Sequence, residues 1–236
     1  MDNYSVKELK RELKRISDTE KVKVFQGFFK IGVGQYGEGD IFLGVAVPDS
    51  RKIAVKYREL GLLEITELLK SKIHEERLVA LLVLVHNFQE GDESERKKIF
   101  NFYLKNTRCV NNLDLVDLSA DKIIGVHLLG KKDRKILYKL AKSKNFWERR
   151  IAIVATFNFI KNGQFQDTLK IAKILLDDDH DLIHKAVGWM LREVGKRSLE
   201  TEEGFLKKYY KKMPRATLRY AVERFPKAKR IFYLKK

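Results

Sequence analysis

The sequence predicts an all-α protein made of stacked helical repeats. Apolar residues recur at helical spacing from the start of the chain, as Leu9, Leu13 and Ile16 do at i, i+4 and i+7. Strict apolar–polar alternation, which is typical of a strand, is nowhere sustained. Only 3 prolines and 14 glycines occur in 236 residues, too few for a turn-rich all-β fold. An internal repeat is the third observation that predicts this fold class.

The individual helices follow in chain order from the apolar spacing. After the first helix, a phenylalanine-rich helix over residues 22–29 ends at the glycine-rich segment IGVGQYGEGD, which is interpreted as a loop. The segments IFLGVAVPDSRKIAVKYREL, ITELLKSKI and ERLVALLVLVHNF come next, and helical periodicity dominates. The connectors NFQEGDESER, KNGQFQD and DDDHD are polar and short, as turns between packed helices are.

The repeat consists of a basic or aromatic residue followed by a small-apolar helical core. Such cores start at Arg77, Arg150, Lys185 and Tyr220, at intervals of 73, 35 and 35 residues. The first interval is about twice the others, and NNLDLVDLSADKIIG supplies comparable apolar spacing at its middle. Two short helices in about 35 residues are typical of a HEAT-type repeat. No long linker occurs, so we expect a single domain over residues 1–236 that forms one curved superhelix of HEAT-like repeats.

The chain is strongly basic, with 49 Lys and Arg against 32 Asp and Glu and a formal net charge of +17. The positive electrostatic field of such a charge favours an anionic partner. Nucleic acid is the first candidate, followed by an anionic membrane or an acidic protein. Near the C-terminus, basic residues interleave with Tyr209, Tyr210, Tyr220 and Tyr233, a pairing typical of phosphate contact with base stacking. An amphipathic terminal helix, or a generally lysine-rich surface, explains the same pattern.

Stacked repeats also predict where some of the charge lies. Equivalent positions of successive repeats line the concave face of a curved solenoid. The first residues of three repeat cores, Arg77, Arg150 and Lys185, are therefore expected along one stripe. Regularly spaced cations on such a face suit a rod-shaped polyanion such as duplex DNA.

The compartment is predicted from what the sequence lacks. The single cysteine, Cys109, excludes an intrachain disulfide framework. The charged N-terminal segment MDNYSVKELKRELKR does not resemble a signal peptide, and no stretch approaches the roughly 18 uncharged apolar residues of a membrane span. We expect a soluble cytoplasmic protein that associates with the nucleoid and does not bind a membrane.

Two motifs resemble ligand-binding sites but are explained by local structure. Gly32, Gly34 and Gly37 spell G-x-G-x-x-G, but a dinucleotide site needs that motif between a strand and a helix, and a helix precedes it here. His180 and His184 lie beside three aspartates without a recognisable third ligand spacing, and the helix dipole explains acids in a first turn. We expect neither a metal nor a cofactor.

Three segments place polar or bulky groups in otherwise apolar helices. LDLVD puts Asp114 and Asp117 on nearly the same face, where a carboxylate can be a buried cap, half of an ion pair or a catalytic group. NFWERRIAIV contains Arg149 and Arg150, of which one is expected to face solvent while the other reaches a carboxylate or phosphate. KAVGWMLRE contains Trp189 after a glycine that leaves room for another group, although a helical tryptophan more often serves packing.

These segments resemble the AlkD-like family of DNA alkylation-repair glycosylases. The resemblance runs in order from FFKIGVGQYGEGDIFLGVAVPDSRKIA through ERLVALLVLV, VNNLDLVDLSADKIIG and NFWERRIAIV to IHKAVGWMLREVGK, most of residues 25–197. It implies a HEAT-like superhelix that binds duplex DNA on its concave face. It also implies a monomer that hydrolyses the N-glycosidic bond of N3- or N7-alkylated purines without metal or cofactor.

The resemblance assigns four residues to the site. Asp117 matches the catalytic aspartate, the second acid of a W-D-x-x-D pattern. Arg150 matches the arginine of a W-x-x-R segment, and Trp189 the tryptophan of a G-W-x-x-R-E segment; both are expected to bind DNA near the lesion. Leu113 stands where the pattern has tryptophan, so one of two aromatic walls is missing, with stacking and cation–π attraction of roughly 1 kcal/mol or more.

The implied chemistry suits so sparse a site. An N3- or N7-alkylated purine is already cationic, hence a good leaving group that needs no general acid. One ionised carboxylate can then stabilise the oxocarbenium-like sugar and hold the attacking water. The function predicted is therefore a glycosylase of base-excision repair. A catalytically inactive HEAT-repeat module that binds duplex DNA, and a scaffold that binds acidic peptides, remain as alternatives.

Overall fold

All regular structure in the described part of the chain is helical. The computed structural model describes residues 4–235. These residues form two compact units that divide between Ser119 and Ala120. The all-α prediction is confirmed. The single domain over residues 1–236 stays a prediction, and its residues 1–3 and 236 lie outside the described residues.

The first unit contains seven α-helices in its described residues. They are α1 (Val6–Arg15), α2 (Thr19–Phe29), α3 (Val47–Lys56), α4 (Leu62–Leu69), α5 (His74–Glu90), α6 (Glu93–Lys105) and α7 (Leu113–Asp117). The helix α1 begins where the Ser5 hydroxyl accepts a hydrogen bond from the Glu8 N–H at 3.3 Å, a typical N-cap. Its i, i+4 pair Leu9 and Leu13 is fully buried, as the spacing predicts.

The helix α5 forms the core of the first unit. Its apolar run from Leu78 to Val85 is buried on every side, because α1, α3, α4, α6 and α7 all pack against it. A helix that is apolar all round requires such surroundings. The helix α5 therefore fixes the neighbours that meet its N-terminal turn, including α7.

An irregular segment joins α2 to α3. It contains an isolated parallel bridge between Ile41 and Ile73. The carboxylate of buried Glu75 accepts hydrogen bonds from the backbone N–H groups of residues 43–45, at 2.8 to 3.2 Å. Charge-assisted bonds of this kind are strong, so the segment is held against the first turn of α5 although it has no regular structure.

The second unit continues the helical pattern. Its described α-helices are α8 (Val126–Leu128), α9 (Lys135–Ala141), α10 (Phe146–Ala155), α11 (Phe157–Lys161), α12 (Gln166–Ile174), α13 (Asp181–Gly195), α14 (Leu199–Tyr209), α15 (Arg215–Ala221) and α16 (Lys227–Leu234). A turn of π-helix over Asp121–Gly125 precedes α8. Asn145 caps α10 by accepting from the Trp147 N–H at 2.9 Å.

Neighbouring helices of the second unit pack in pairs, as HEAT-like repeats require. The helix α9 packs against α10 and α12 against α13, while α10 also packs against α13. The helix α13 packs closely on α15, because Gly188 brings the two backbones together: a Cβ there would lie 2.5 Å from the Thr217 carbonyl oxygen. No helix among the described residues is long and apolar enough to cross a membrane.

Candidate functional site

The helix α7 carries two of the four predicted site residues, Leu113 and Asp117. Asn112 is fully buried and caps the helix, since its side-chain oxygen accepts from the Leu113 N–H at 2.7 Å. Leu115 and Val116 are fully buried and hold α7 against α5. Leu113 and Asp117 are half-buried. The sequence therefore places Asp117 at the end of a short helix that the core anchors in its middle.

A buried polar network fixes the first turn of α7. His74 is only 2% exposed, and its two ring nitrogens face two carboxylates. Nε2 lies 2.9 Å from Asp114 Oδ2, and Nδ1 lies 3.3 Å from Asp40 Oδ2. The Asn112 side-chain N–H also donates to Asp40 at 2.8 Å. The network thus joins the end of the glycine-rich loop, the start of α5 and the start of α7.

The carboxylates of this network keep His74 charged. Burial by itself would lower the pKa of His74, but the negative charge of Asp114 and hydrogen bonds with Asp114 and Asp40 outweigh it and raise the pKa to about 9, against the opposing charge of Arg77. Burial likewise opposes ionisation of Asp40, yet His74, Arg77 and Asn112 together hold the pKa of Asp40 below its ordinary value. The network therefore places an imidazolium between the carboxyl groups of Asp40 and Asp114.

This network answers what Asp114 does, a question the sequence left open. Asp114 is half of an ion pair with His74, and its other oxygen accepts from the Leu115 N–H at 2.8 Å. Sequence reasoning missed both His74 and Asp40. The sequence carries no local signal for the pair, because 34 residues separate them and only packing brings them together.

The predicted stripe of exposed cations is wrong. Arg77 is 3% exposed and Arg150 is 5% exposed. Arg77 donates to the Ser71 carbonyl at 2.8 Å and lies 2.7 Å from Asp40, so it satisfies acceptors inside the first unit. Lys185 is half-buried and pairs with Asp181 at 2.6 Å. The buried guanidinium groups of Arg77 and Arg150 donate to internal carbonyl groups, as a buried charge requires, whereas Lys185 keeps part of its side chain in solvent.

Arg150 lies inside the second unit, where α10 packs against α13. Its Nη1 donates to the Leu182 carbonyl oxygen in the first turn of α13 at 2.6 Å. Its neighbour Arg149 was a candidate for solvent exposure, but that expectation is wrong as well. Arg149 is half-buried and binds Asp178 with two nitrogens, at 2.5 and 3.1 Å. This two-pronged pair joins α10 to the turn before α13.

Trp189 lies on α13, and the packing around it differs from the sequence expectation. The ring is half-buried and contacts Phe157 of α11, with 5.7 Å between ring centroids. The space that Gly188 leaves is filled by α15, since a Cβ there would also lie 2.6 Å from the Tyr220 Cβ. Gly188 therefore serves helix packing, and the space it leaves is not open to a ligand.

The two ligand-like motifs have structural roles. The motif of Gly32, Gly34 and Gly37 follows α2, and the Gln35 side-chain oxygen accepts from the Gly32 N–H at 3.0 Å. His180 caps α13 by accepting from the Leu182 N–H at 3.2 Å and stacks on Phe146. Within residues 4–235, no group of three or more His, Cys, Asp or Glu side chains is arranged to hold a metal ion.

The second unit also presents a basic cavity of about 640 Å³ on its surface. Exposed Lys131, Lys132, Lys135 and Lys170 surround it. At its base, Asp167 accepts from Arg134 at 2.7 Å and from the Tyr138 hydroxyl at 2.5 Å. Exposed lysines around the rigid floor of a cavity are able to contact phosphate groups.

Comparisons with known proteins agree with this architecture. The sequence matches the family described as "DNA alkylation repair enzyme" over residues 9–225. A solved structure, titled a predicted DNA alkylation repair enzyme from Enterococcus faecalis, superposes with a TM-score of 0.68 at 17% sequence identity. The match covers 89% of this chain and 97% of the other, and at that identity it shows a shared fold. Among curated proteins, none matches the sequence.

Proposed function

The chain belongs to the DNA alkylation repair enzyme family, and from this premise we propose that it is a DNA glycosylase. Its substrate is duplex DNA that contains cationic N3- or N7-alkylated purines, and it hydrolyses the N-glycosidic bond. The observation that carries the proposal is that Asp117 is half-buried at the end of a helix that Leu115 and Val116 anchor in the core. The net charge of +17 supports a polyanionic substrate.

Asp117 is the residue we assign to the chemistry. Bond cleavage leaves positive charge on the sugar, while the departing base becomes neutral. An ionised carboxylate near C1′ stabilises that positive charge. It also accepts a hydrogen bond from the water that attacks C1′. No metal or cofactor is needed for such a step, since the alkylated base is a good leaving group.

Arg150 and Trp189 are the residues we assign to binding DNA around the lesion. The bond from Arg150 to the Leu182 carbonyl orients the guanidinium, whose planar shape suits the oxygens of a phosphate or carboxylate. The half-buried ring of Trp189 offers an apolar face to a deoxyribose. Leu113 contributes apolar contact without a π face.

The first test is release of free base from a duplex that carries a single N7-methylguanine. We expect release by the wild-type protein and a loss of at least about a hundredfold in Asp117→Asn, with DNA binding retained. Asp179→Asn, which alters an exposed aspartate, is the matched control and should keep the wild-type rate. Full activity in Asp117→Asn would refute the assignment of the carboxylate.

A second candidate function is a DNA-binding module without glycosylase activity. Leu113 favours it, because the aromatic wall expected at this position is replaced by an aliphatic side chain. This candidate predicts salt-sensitive binding to the same duplex and no base release by the wild-type protein. The experiment above therefore separates the two functions.

A further inference from the structure

We propose that His74 is a positioning residue, which orients the catalytic helix α7 by bridging Asp40 and Asp114. This inference rests on the proposed function, in which Asp117 acts on the sugar. His74 itself is only 2% exposed, so it is not expected to contact DNA. Its effect reaches Asp117 through the first turn of α7.

The helix α7 needs such support because it is short. It has only five residues, and a helix of that length is not stable by itself. Leu115 and Val116 fix its depth in the core, but apolar contacts leave rotation about the helix axis weakly defined. Directional hydrogen bonds at Asn112 and Asp114 define that rotation. Asp114 and Asp117 are three residues apart and share a face, so the angle of one sets the angle of the other.

The charges of the network explain why a histidine is required. Both ring nitrogens face carboxylate oxygens, so both must donate, which only the imidazolium can do. His74 and Arg77 then balance Asp40 and Asp114, and the buried cluster is neutral. A neutral side chain at position 74 would leave the two half-buried carboxylates of Asp40 and Asp114 against one guanidinium, which is a costly arrangement. Asp114 would turn toward solvent and carry the first turn of α7 with it.

Aromatic packing fixes the imidazolium ring itself. The ring stacks on Phe42 with 4.6 Å between centroids and an angle of 26°, and it contacts Phe29 at 4.9 Å. A cation against aromatic faces is favourable when desolvated. The ring therefore cannot rotate without losing these contacts, and the direction of both N–H bonds is defined.

The test compares His74→Gln with His86→Gln, the same substitution at a half-buried position later on α5. In His74→Gln we expect the single-turnover rate of base release to fall about tenfold to a hundredfold, with the dissociation constant for the duplex nearly unchanged. Hydrogen exchange of the amides of residues 113–118 should be faster. His86→Gln should match the wild type in all three measurements.

Asp114→Asn provides a second variant in case His74→Gln does not fold. It keeps the contact between His74 and Asp40 and should show the same changes in rate and exchange. The double variant His74→Gln with Asp114→Asn replaces the ion pair by an uncharged pair. It should lose less activity than the two single losses combined. If both substitutions only weakened the core in general, their effects on activity would be additive.

The outcomes distinguish this inference from the proposed function. Full activity in Asp117→Asn, or no release by the wild type, would overturn the proposed roles, and hydrogen exchange would still report on α7. Unchanged protection of residues 113–118 in both His74→Gln and Asp114→Asn would overturn the positioning role. So would a normal rate in both variants while Asp117→Asn is inactive.

Discussion

At the scale of single residues, the decisive feature is a set of charges removed from water in matched pairs. His74, Arg77, Asp40 and Asp114 are mutually compensated in the first unit, and Arg149 with Asp178 forms a comparable pair in the second. Breaking one member of such a set costs far more than an exposed ion pair does. The resemblance predicts roles for Asp117 and Arg150, whereas the partners of the charged groups, such as Leu182 for Arg150, became visible only in three dimensions.

A pH dependence of stability follows from the network of Asp40, His74, Arg77 and Asp114. The pKa of His74 is raised from 6.5 to about 9, so its contribution is complete below pH 6.5 and is lost as the pH rises through 9. That contribution is on the order of 3 kcal/mol. Urea unfolding at pH 6.5 and pH 9 should show that the wild type loses more free energy of unfolding between these two values than His74→Gln does. Equal losses in the two proteins would contradict this coupling.

Asp40 sets the acidic limit of the same effect. Its pKa lies below the ordinary value of 3.8, so the stability it provides is present above that value and is lost as the pH falls further. The network is therefore most stabilising between its acidic limit and about pH 6.5, the ordinary pKa of histidine.

At the scale of helices, close approach depends on where the chain has no side chain. The helix α13 carries Trp189 and also packs against α10, α12, α14 and α15. Gly188 permits the contact with α15, so the position of Trp189 depends on a residue that has no chemical role. The repeat spacing in the sequence predicted that these helices stack. The repeat spacing did not predict that Gly188 would lie at the contact between α13 and α15.

Gly188→Ala should weaken this helix contact. The added Cβ would lie 2.5 Å from the Thr217 carbonyl oxygen and 2.6 Å from the Tyr220 Cβ, so α13 and α15 must move apart. We expect a loss of about 1–3 kcal/mol in the free energy of unfolding. Gly204→Ala on α14 is the control, because nothing lies within 4 Å of its added Cβ, and it should be neutral or stabilising by up to about 1 kcal/mol. Equal thermal midpoints for the two variants would refute the packing argument.

At the scale of the whole molecule, the net charge of +17 is expected to supply affinity for DNA without sequence preference. Arg77 is bound to internal acceptors, so exposed lysines are, beside Arg150 at the proposed lesion site, the groups available for phosphate contact. The basic cavity of the second unit concentrates several of them. Affinity from such contacts falls steeply with salt concentration.

Replacing Lys132 and Lys170 by alanine should weaken binding to damaged and undamaged duplexes alike. The slope of log K against log salt should fall by about 2, one for each phosphate contact removed. Lys23→Ala with Lys52→Ala is the control, since these lysines pair with Glu20 and Asp49 one helical turn away. Fluorescence anisotropy over a range of salt concentrations measures both. A loss confined to damaged DNA would contradict a purely electrostatic role.

The sequence by itself determined the helical character of the chain, its paired helices and its charge. These properties depend on spacing within a single turn or on composition, so neighbouring residues suffice to specify them. Through a family resemblance it also predicted site roles for Asp117, Arg150 and Trp189, with Leu113 as a departure from the family pattern.

Only the tertiary structure decided which charged groups are buried and what each one binds. The contact between His74 and Asp114 spans 40 residues, and the bond from Arg150 to Leu182 spans 32. Nothing local distinguishes these side chains from exposed ones. Their burial follows from the packing of α5 and α13 against distant helices, which removes water and makes a partner of opposite charge obligatory.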